Sequence, residues 1–189
     1  METVLPSHYR VAGEPSDCLN GRHVGGDVIM KLLVMSDSHR SVSHMRTAAE
    51  LTAPDAIIHL GDHFTDAQEL HKLYPGAAYY AVSGNCDPHS GGKTEMLLIL
   101  EGVRVFISHG HKYGVKSGLA SFEGAARDNG AALALYGHTH QAALRQVPGL
   151  WLMNPGQMQR NAGHAAASYG VVNITDGAFE CGIEYLGMH

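Results

Sequence analysis

Five short apolar runs in this chain each end in a residue able to bind a cation, and that recurrence constrains the fold more than any other feature. Residues 30–36 (MKLLVMS) lead into Asp37-Ser38-His39, and residues 56–60 (AIIHL) lead into Gly61-Asp62. Residues 77–82 precede Gly84-Asn85-Cys86-Asp87, residues 103–108 precede His109-Gly110-His111, and residues 132–136 precede Gly137-His138-Thr139-His140. Apolar runs of this length read as buried strands. Helical patterning falls between them, at about residues 43–51, 65–73 and 116–129. Residues 95–100 and 103–108 flank Glu101-Gly102, the signature of a hairpin with a tight turn. Further strands are expected at 142–146, 150–153, 168–174 and 178–185. Strands that first alternate with helices and later follow one another suggest an α/β fold of two packed β-sheets flanked by helices.

In α/β sheets ligands bind where strand ends converge, so the five terminal motifs are expected to meet at one edge. In an extended stretch residues i and i+2 point the same way, which would let Asp37 and His39 reach one ion together. The same argument applies to His138 and His140, although a turn there would divide them between two ions. Gly61, Gly84, Gly110 and Gly137 stand where a strand must bend sharply and backbone must approach the site. Singly, each motif also reads as an ordinary turn. Five in succession, each closing a strand, read as one metal site.

Composition narrows the field. The net charge is -5 with His neutral, and there is no run of Lys or Arg, so stable binding along nucleic acid phosphates is not expected. The hydrophobic fraction is 44% and the charged fraction 16%, enough for a real core in one domain. Cys18, Cys86 and Cys181 are widely spaced, with neither zinc-finger spacing nor a disulfide framework, which points to a reducing cytoplasm. The longest strongly apolar run, residues 96–100, is far too short to cross a bilayer, and no membrane role is expected. Residues 1–29 mix Pro, Ser, Gly, Asp and Arg without period and lack the apolar stretch of a signal peptide. They are expected to form a loose N-terminal extension or to precede the true start, with the domain occupying 30–189.

Taken in order, Asp-x-His, Gly-Asp, Gly-Asn-x-Asp, His-Gly-His and Gly-His-x-His resemble the calcineurin-like metallophosphoesterase superfamily. The resemblance runs from Met30 to about Tyr185 and is nearest to the compact single-domain phosphodiesterases of bacteria and archaea. These share their fold with the eukaryotic retromer scaffold subunit. It implies a four-layer αββα sandwich and a dinuclear centre. One divalent ion would lie on Asp37, His39 and His140, and the other on Asn85, His109 and His138, with Asp62 bridging both. Asp62, Asn85 and His111 would take part in catalysis, His111 touching a phosphate oxygen. Asn154-Pro155-Gly156 matches a further loop near the site, or is a plain turn.

A centre of this kind hydrolyses a small phosphate ester, most simply a diester, by attack of a bridging hydroxide. The ligand set of oxygen and nitrogen without thiolate favours Mn2+, with Fe, Zn or Ni as alternatives. Two divalent ions, two carboxylates and a hydroxide leave about one positive charge facing the substrate. Many larger members of the superfamily follow the ligand Asn with His, where this chain has Cys86. Cys86 reads as a small buried side chain, since a thiol is a weak proton donor near neutral pH. Arg40 is read as a substrate contact or a solvated surface residue, His63 as a neighbour of the site, and Asp66 as a helix cap. A catalytically silent protein-binding scaffold on the same fold is the alternative reading. A small homo-oligomer would be unremarkable.

Overall fold

The computed structural model describes residues 10–11, 22–24, 27–88, 90–159 and 166–187. Strand β1 is Arg10–Val11, β2 is Arg22–Val24 and β3 is Asp27–Met35; helix α1 is Val42–Thr52, β4 is Ala56–His59, α2 is Phe64–Leu73 and β5 is Ala78–Ala81. Then come β6 (Glu95–Leu100), β7 (Val103–Ser108), a 3-10 turn at His111–Tyr113, α3 (Ala120–Asp128) and β8 (Leu133–Leu135). Four strands complete the chain: β9 (Ala142–Val147), β10 (Leu150–Pro155), β11 (Ser168–Thr175) and β12 (Ala178–Tyr185).

These strands form two mixed sheets. The first has the order β1-β12-β11-β3-β4-β5, with β2 also paired to β3, and the second has the order β6-β7-β8-β10-β9. Strands β3, β4 and β5 are parallel to one another, as are β7 and β8. Their C-terminal ends therefore carry the five motifs. Most of residues 1–29, expected as a loose extension, lie outside the described residues, but Arg22–Val24 pairs antiparallel with β3 and Arg10–Val11 with β12.

The period-2 alternation of each central strand builds two interfaces at once. Leu32 and Val34 of β3 face the second sheet, while Leu33 and Met35 face the helices. Val105 and Ile107 of β7 join the cluster between the sheets, and Phe106 turns outward to Phe122 and Ala126 of α3. Trp151 and Met153 of β10 likewise face inward, with Leu150 and Leu152 toward α3. The three hydrophobic clusters thus mark the three contacts of a four-layer sandwich: α1 and α2, sheet, sheet, α3. Helix α1 buries Met45, Ala48, Ala49 and Thr52 along one stripe. A fully buried side chain such as Met45 or Phe122 contributes about 1.5–3 kcal/mol relative to exposure. Among the described residues no helix is long and apolar enough to cross a membrane.

The expected elements recur with small shifts. The first strand begins at Asp27, ahead of Met30, and α3 begins at Ala120 instead of residue 116. The later start has a local cause. Gly114 and Gly118 hold φ of 64° and 150°, which interrupts a helix between the 3-10 turn and α3.

Candidate metal centre

All seven residues that the sequence singles out as ligands lie at this common strand edge. Asp37, His39, Asp62 and His140 each offer a ligand atom within 4.8 Å of the others. His140 Nε2 lies 3.0 Å from Asp37 Oδ1, and His39 Nε2 lies 4.0 Å from Asp62 Oδ2. On the other side of Asp62, His109 Nε2 is 3.4 Å from Oδ1 and 3.1 Å from Asn85 Oδ1. The His138 ring stands 5.0 Å from that of His109, and the His111 ring 5.3 Å from it. One carboxylate, Asp62, therefore faces both groups, one oxygen to each.

The backbone that achieves this is not extended. Asp37 and His39 have φ of 53° and 43°, and His138 and His140 have 68° and 60°, so each pair occupies a left-handed turn. The expected i, i+2 projection from extended chain is thereby corrected: alternate left-handed residues, not a pleat, aim these side chains. Asp62 and its neighbour His63 are left-handed too, at 58° and 69°. Such conformations cost free energy in non-glycine residues and are held only where surroundings over-determine them.

The surroundings are specific. Ser36 Oγ and the His138 backbone N–H both donate to Asp37 Oδ2, at 2.6 and 3.0 Å. The Cys86 backbone N–H donates to Asp62 Oδ1 at 2.9 Å. Asn154, fully buried, donates through Nδ2 to the Gly137 carbonyl and to Thr139 Oγ1, and accepts the Gly156 N–H. Two of these bonds hold the His138–His140 turn, and the third ties it to the Gly156 turn. Asp87 accepts the N–H groups of Gly84 and of Phe64, the first residue of α2, both at 2.9 Å. It both closes the Asn85 loop and caps that helix.

The cap expected of Asp66 is corrected accordingly. Asp66 Oδ2 accepts Ser38 Oγ and the Arg40 N–H, each at 2.7 Å, and so ties the Asp37–His39 turn to α2. Behind it lies His59, fully buried in β4. The Gly61 N–H donates to His59 Nδ1 at 3.3 Å, leaving Nε2 protonated to donate to Ser38 Oγ at 3.3 Å. Sequence reasoning passed over His59, although a lone polar side chain inside an apolar strand was the available signal. Cys86 is exposed, which corrects the buried reading, and Arg40 is exposed at the site's margin.

Charge and protonation point one way. His109 Nδ1 lies 2.8 Å from the Leu60 carbonyl oxygen, which can only accept, so Nδ1 carries the proton. The Nε2 lone pair then confronts oxygens of Asp62 and Asn85, an arrangement a cation between them would reconcile. His39 Nε2 and His111 Nδ1 are buried without a hydrogen-bond partner, and Asp37 Oδ1 meets His140 Nε2 alone. Burial and the neighbouring His109 lower the His138 pKa to about 4, and burial likewise lowers those of His39 and His111. These imidazoles are neutral and offer lone pairs near pH 7. Burial raises the Asp37 carboxyl, but hydrogen bonds from His140 and Ser36 oppose it and favour the ionised form. Asp37 in turn raises the pKa of His140 through its hydrogen bond. The donor set thus fits a divalent metal by chemistry and by its orphaned atoms.

An α/β sandwich that gathers carboxylates and neutral imidazoles at its strand ends defines a metal-binding protein of the phosphoesterase kind. Residues 30–177 match the family model of the calcineurin-like phosphoesterase superfamily domain, and the chain belongs to that superfamily. It is 31% identical to the probable metallophosphoesterase YsnB of Bacillus subtilis over 152 residues, 79% of this chain and 87% of that protein. It is 28% identical to the phosphodiesterase YfcE of Escherichia coli K12 over 172 residues, covering 77% and 88% of the two. The fold also matches the structure of Vacuolar Protein Sorting 29 from Cryptosporidium parvum, at TM-score 0.65 and 17% identity, over 82% of this chain and 97% of that one.

Proposed function

We propose that the protein is a dinuclear metal-dependent phosphodiesterase acting on a small phosphate ester. The observation that carries this reading is Asp62, whose two carboxylate oxygens face two separate groups of ligand atoms. Asp37, His39 and His140 would hold one ion with Asp62 Oδ2; Asn85, His109 and His138 would hold the other with Oδ1. Divalent ions held there, Mn2+ foremost and Fe, Zn or Ni as alternatives, would activate water and neutralise phosphoryl oxygens.

The chain's own residues do the rest. Neutral His111, whose Nδ1 is buried without a partner, can donate through a ring N–H to a phosphoryl oxygen. Slight burial and hydrogen bonding to Asp62 push the otherwise exposed Cys86 thiol up to about 11, so it stays protonated beside the carboxylates and adds no negative charge. The widely spaced cysteines accord with a cytoplasmic enzyme, working alone or as a small homo-oligomer. The full donor set favours an enzyme over a silent scaffold, because a surface kept only for protein contact has no use for seven such side chains.

The test is hydrolysis of bis(p-nitrophenyl) phosphate and p-nitrophenyl phosphate with added manganese. Metal-dependent diester cleavage is expected, abolished by a chelator. Asp62→Asn and His138→Ala are expected to lower it beyond the roughly 10–100-fold typical of supporting residues around a metal. Bound metal with no turnover by the unaltered protein would overturn the enzyme reading in favour of the scaffold.

A further inference from the structure

Beside the ligand groups opens a cavity of about 460 Å³, lined by Ser83, Asn85, Ser90, Gly91, Thr94 and His111 among others. That volume lies within the range of small-molecule sites, roughly 300–1,000 Å³. Two of its walls belong to the centre already described: Asn85 Oδ1 lies 3.1 Å from His109 Nε2, and the His111 ring 5.3 Å from that of His109. An ester whose phosphate sat at the centre would extend one substituent into this space.

Three of the lining residues, Ser83, Ser90 and Thr94, carry hydroxyls. Ser83 Oγ and Ser90 Oγ are 2.5 Å apart, so one donates to the other and the second hydroxyl keeps a proton to give. The Gly92 N–H donates to Ser90 Oγ at 3.2 Å, and Lys112 Nζ donates to Thr94 Oγ1 at 3.3 Å. Thr94 Oγ1 therefore accepts from Lys112 and retains its own proton for a ligand. The one carboxylate in the lining, Asp87, already accepts backbone N–H groups at both oxygens. A Cβ placed on Gly91 would meet nothing within 4 Å, so the outer end of the space is open.

Hydroxyls that both donate and accept match alcohols, which do the same. Nucleobases are commonly gripped by stacking on aromatic rings, and no Phe, Tyr or Trp stands among the described lining residues. An acyl chain would need apolar side chains around it, and Pro88 is the one such side chain among the described lining residues. We infer that this cavity is the alcohol subsite of the enzyme and that it selects a polyhydroxylated alcohol, of the size of glycerol or one sugar. The inference rests on the phosphodiesterase reading above. In the reaction, water adds its oxygen to phosphorus and the P–O bond to the polyol breaks. The polyol departs with one of the water's protons, and the other alcohol stays on as the monoester.

The experiment compares glycerol-linked and p-nitrophenyl phosphodiesters with the full chain and Mn2+, before and after Ser90→Ala and Thr94→Val, with Thr94→Ser as the conservative variant. The ratio of kcat/KM for the glycerol diester over the p-nitrophenyl diester is expected to fall about tenfold in the first two and to recover in Thr94→Ser. Titration calorimetry gives a readout apart from turnover: glycerol 3-phosphate should bind the unaltered protein more tightly than phenyl phosphate, and lose that preference in Thr94→Val. An unchanged ratio, or a parallel fall for both diesters, overturns the subsite while leaving the phosphodiesterase reading intact. No turnover of either diester by the unaltered protein overturns both.

Discussion

His59 shows how a residue far from any substrate can decide the shape of a site. It lies under the two turns that carry Asp37, His39 and Asp62, and joins them through Ser38 and Asp66. Burial lowers its pKa to about 4, so it is neutral in the folded chain. Between pH 6.5 and 4 the unfolded chain takes up a proton that the folded chain refuses, so stability is full above about pH 6.5 and falls as the pH drops. The slope for one such group is about 1.4 kcal/mol per pH unit. Denaturant titrations of the metal-free protein across this window are expected to show that loss, and His59→Gln to lessen it by about one group's slope, the remainder belonging to His138 and its neighbours. A slope unchanged in His59→Gln would place the acid sensitivity elsewhere. Ligand types were legible in the sequence because each closes an apolar run. His59 was not, because its partner Ser38 stands 21 residues away and only the parallel pairing of β3 and β4 brings them together.

Among the elements, the turns after β4 and β5 make the tightest demand. A Cβ on Gly84 would strike both the side chain and the backbone nitrogen of Asp62, and backbone cannot rotate aside. Gly84→Ala is therefore expected to destabilise by about 1–3 kcal/mol and to weaken metal binding along with it. Thermal denaturation and a metal titration check the two effects separately; a variant as stable and as metal-avid as the parent would refute the close approach. Strand identities were readable from short continuous apolar runs, since both faces of β3, β7 and β10 are buried. What the pattern hid was backbone handedness. Asp37, His39, Asp62, His138 and His140 adopt positive φ that their residue types do not announce, and the Asn154 bonds that hold the last turn are long-range. The start of α3 was hidden for a related reason, because Gly114 and Gly118 act on the chain only through their φ.

At the scale of the molecule, the three hydrophobic clusters of the described residues draw on Met30 and residues after it. A chain beginning at Met30 is accordingly expected to fold, bind metal and keep its thermal midpoint within a few degrees, as circular dichroism would read. A failure to fold would make the pairing of Arg22–Val24 with β3 essential. The order of the two sheets was not legible strand by strand, because β11 returns from the end of the chain to lie beside β3. That arrangement has a consequence for assembly. Both carboxylates, the Asn85 amide and His39 follow strands of the first sheet, whereas His109, His138 and His140 follow strands of the second. With the first sheet alone, the proposed centre would keep Asp37, His39 and Asp62 but lose His140 from one group, and would keep Asn85 and Asp62 but lose His109 and His138 from the other. Metal uptake would thus report that the two halves have met, and a captured ion would act as a rivet between segments about a hundred residues apart in the chain, such as Asp37 and His140.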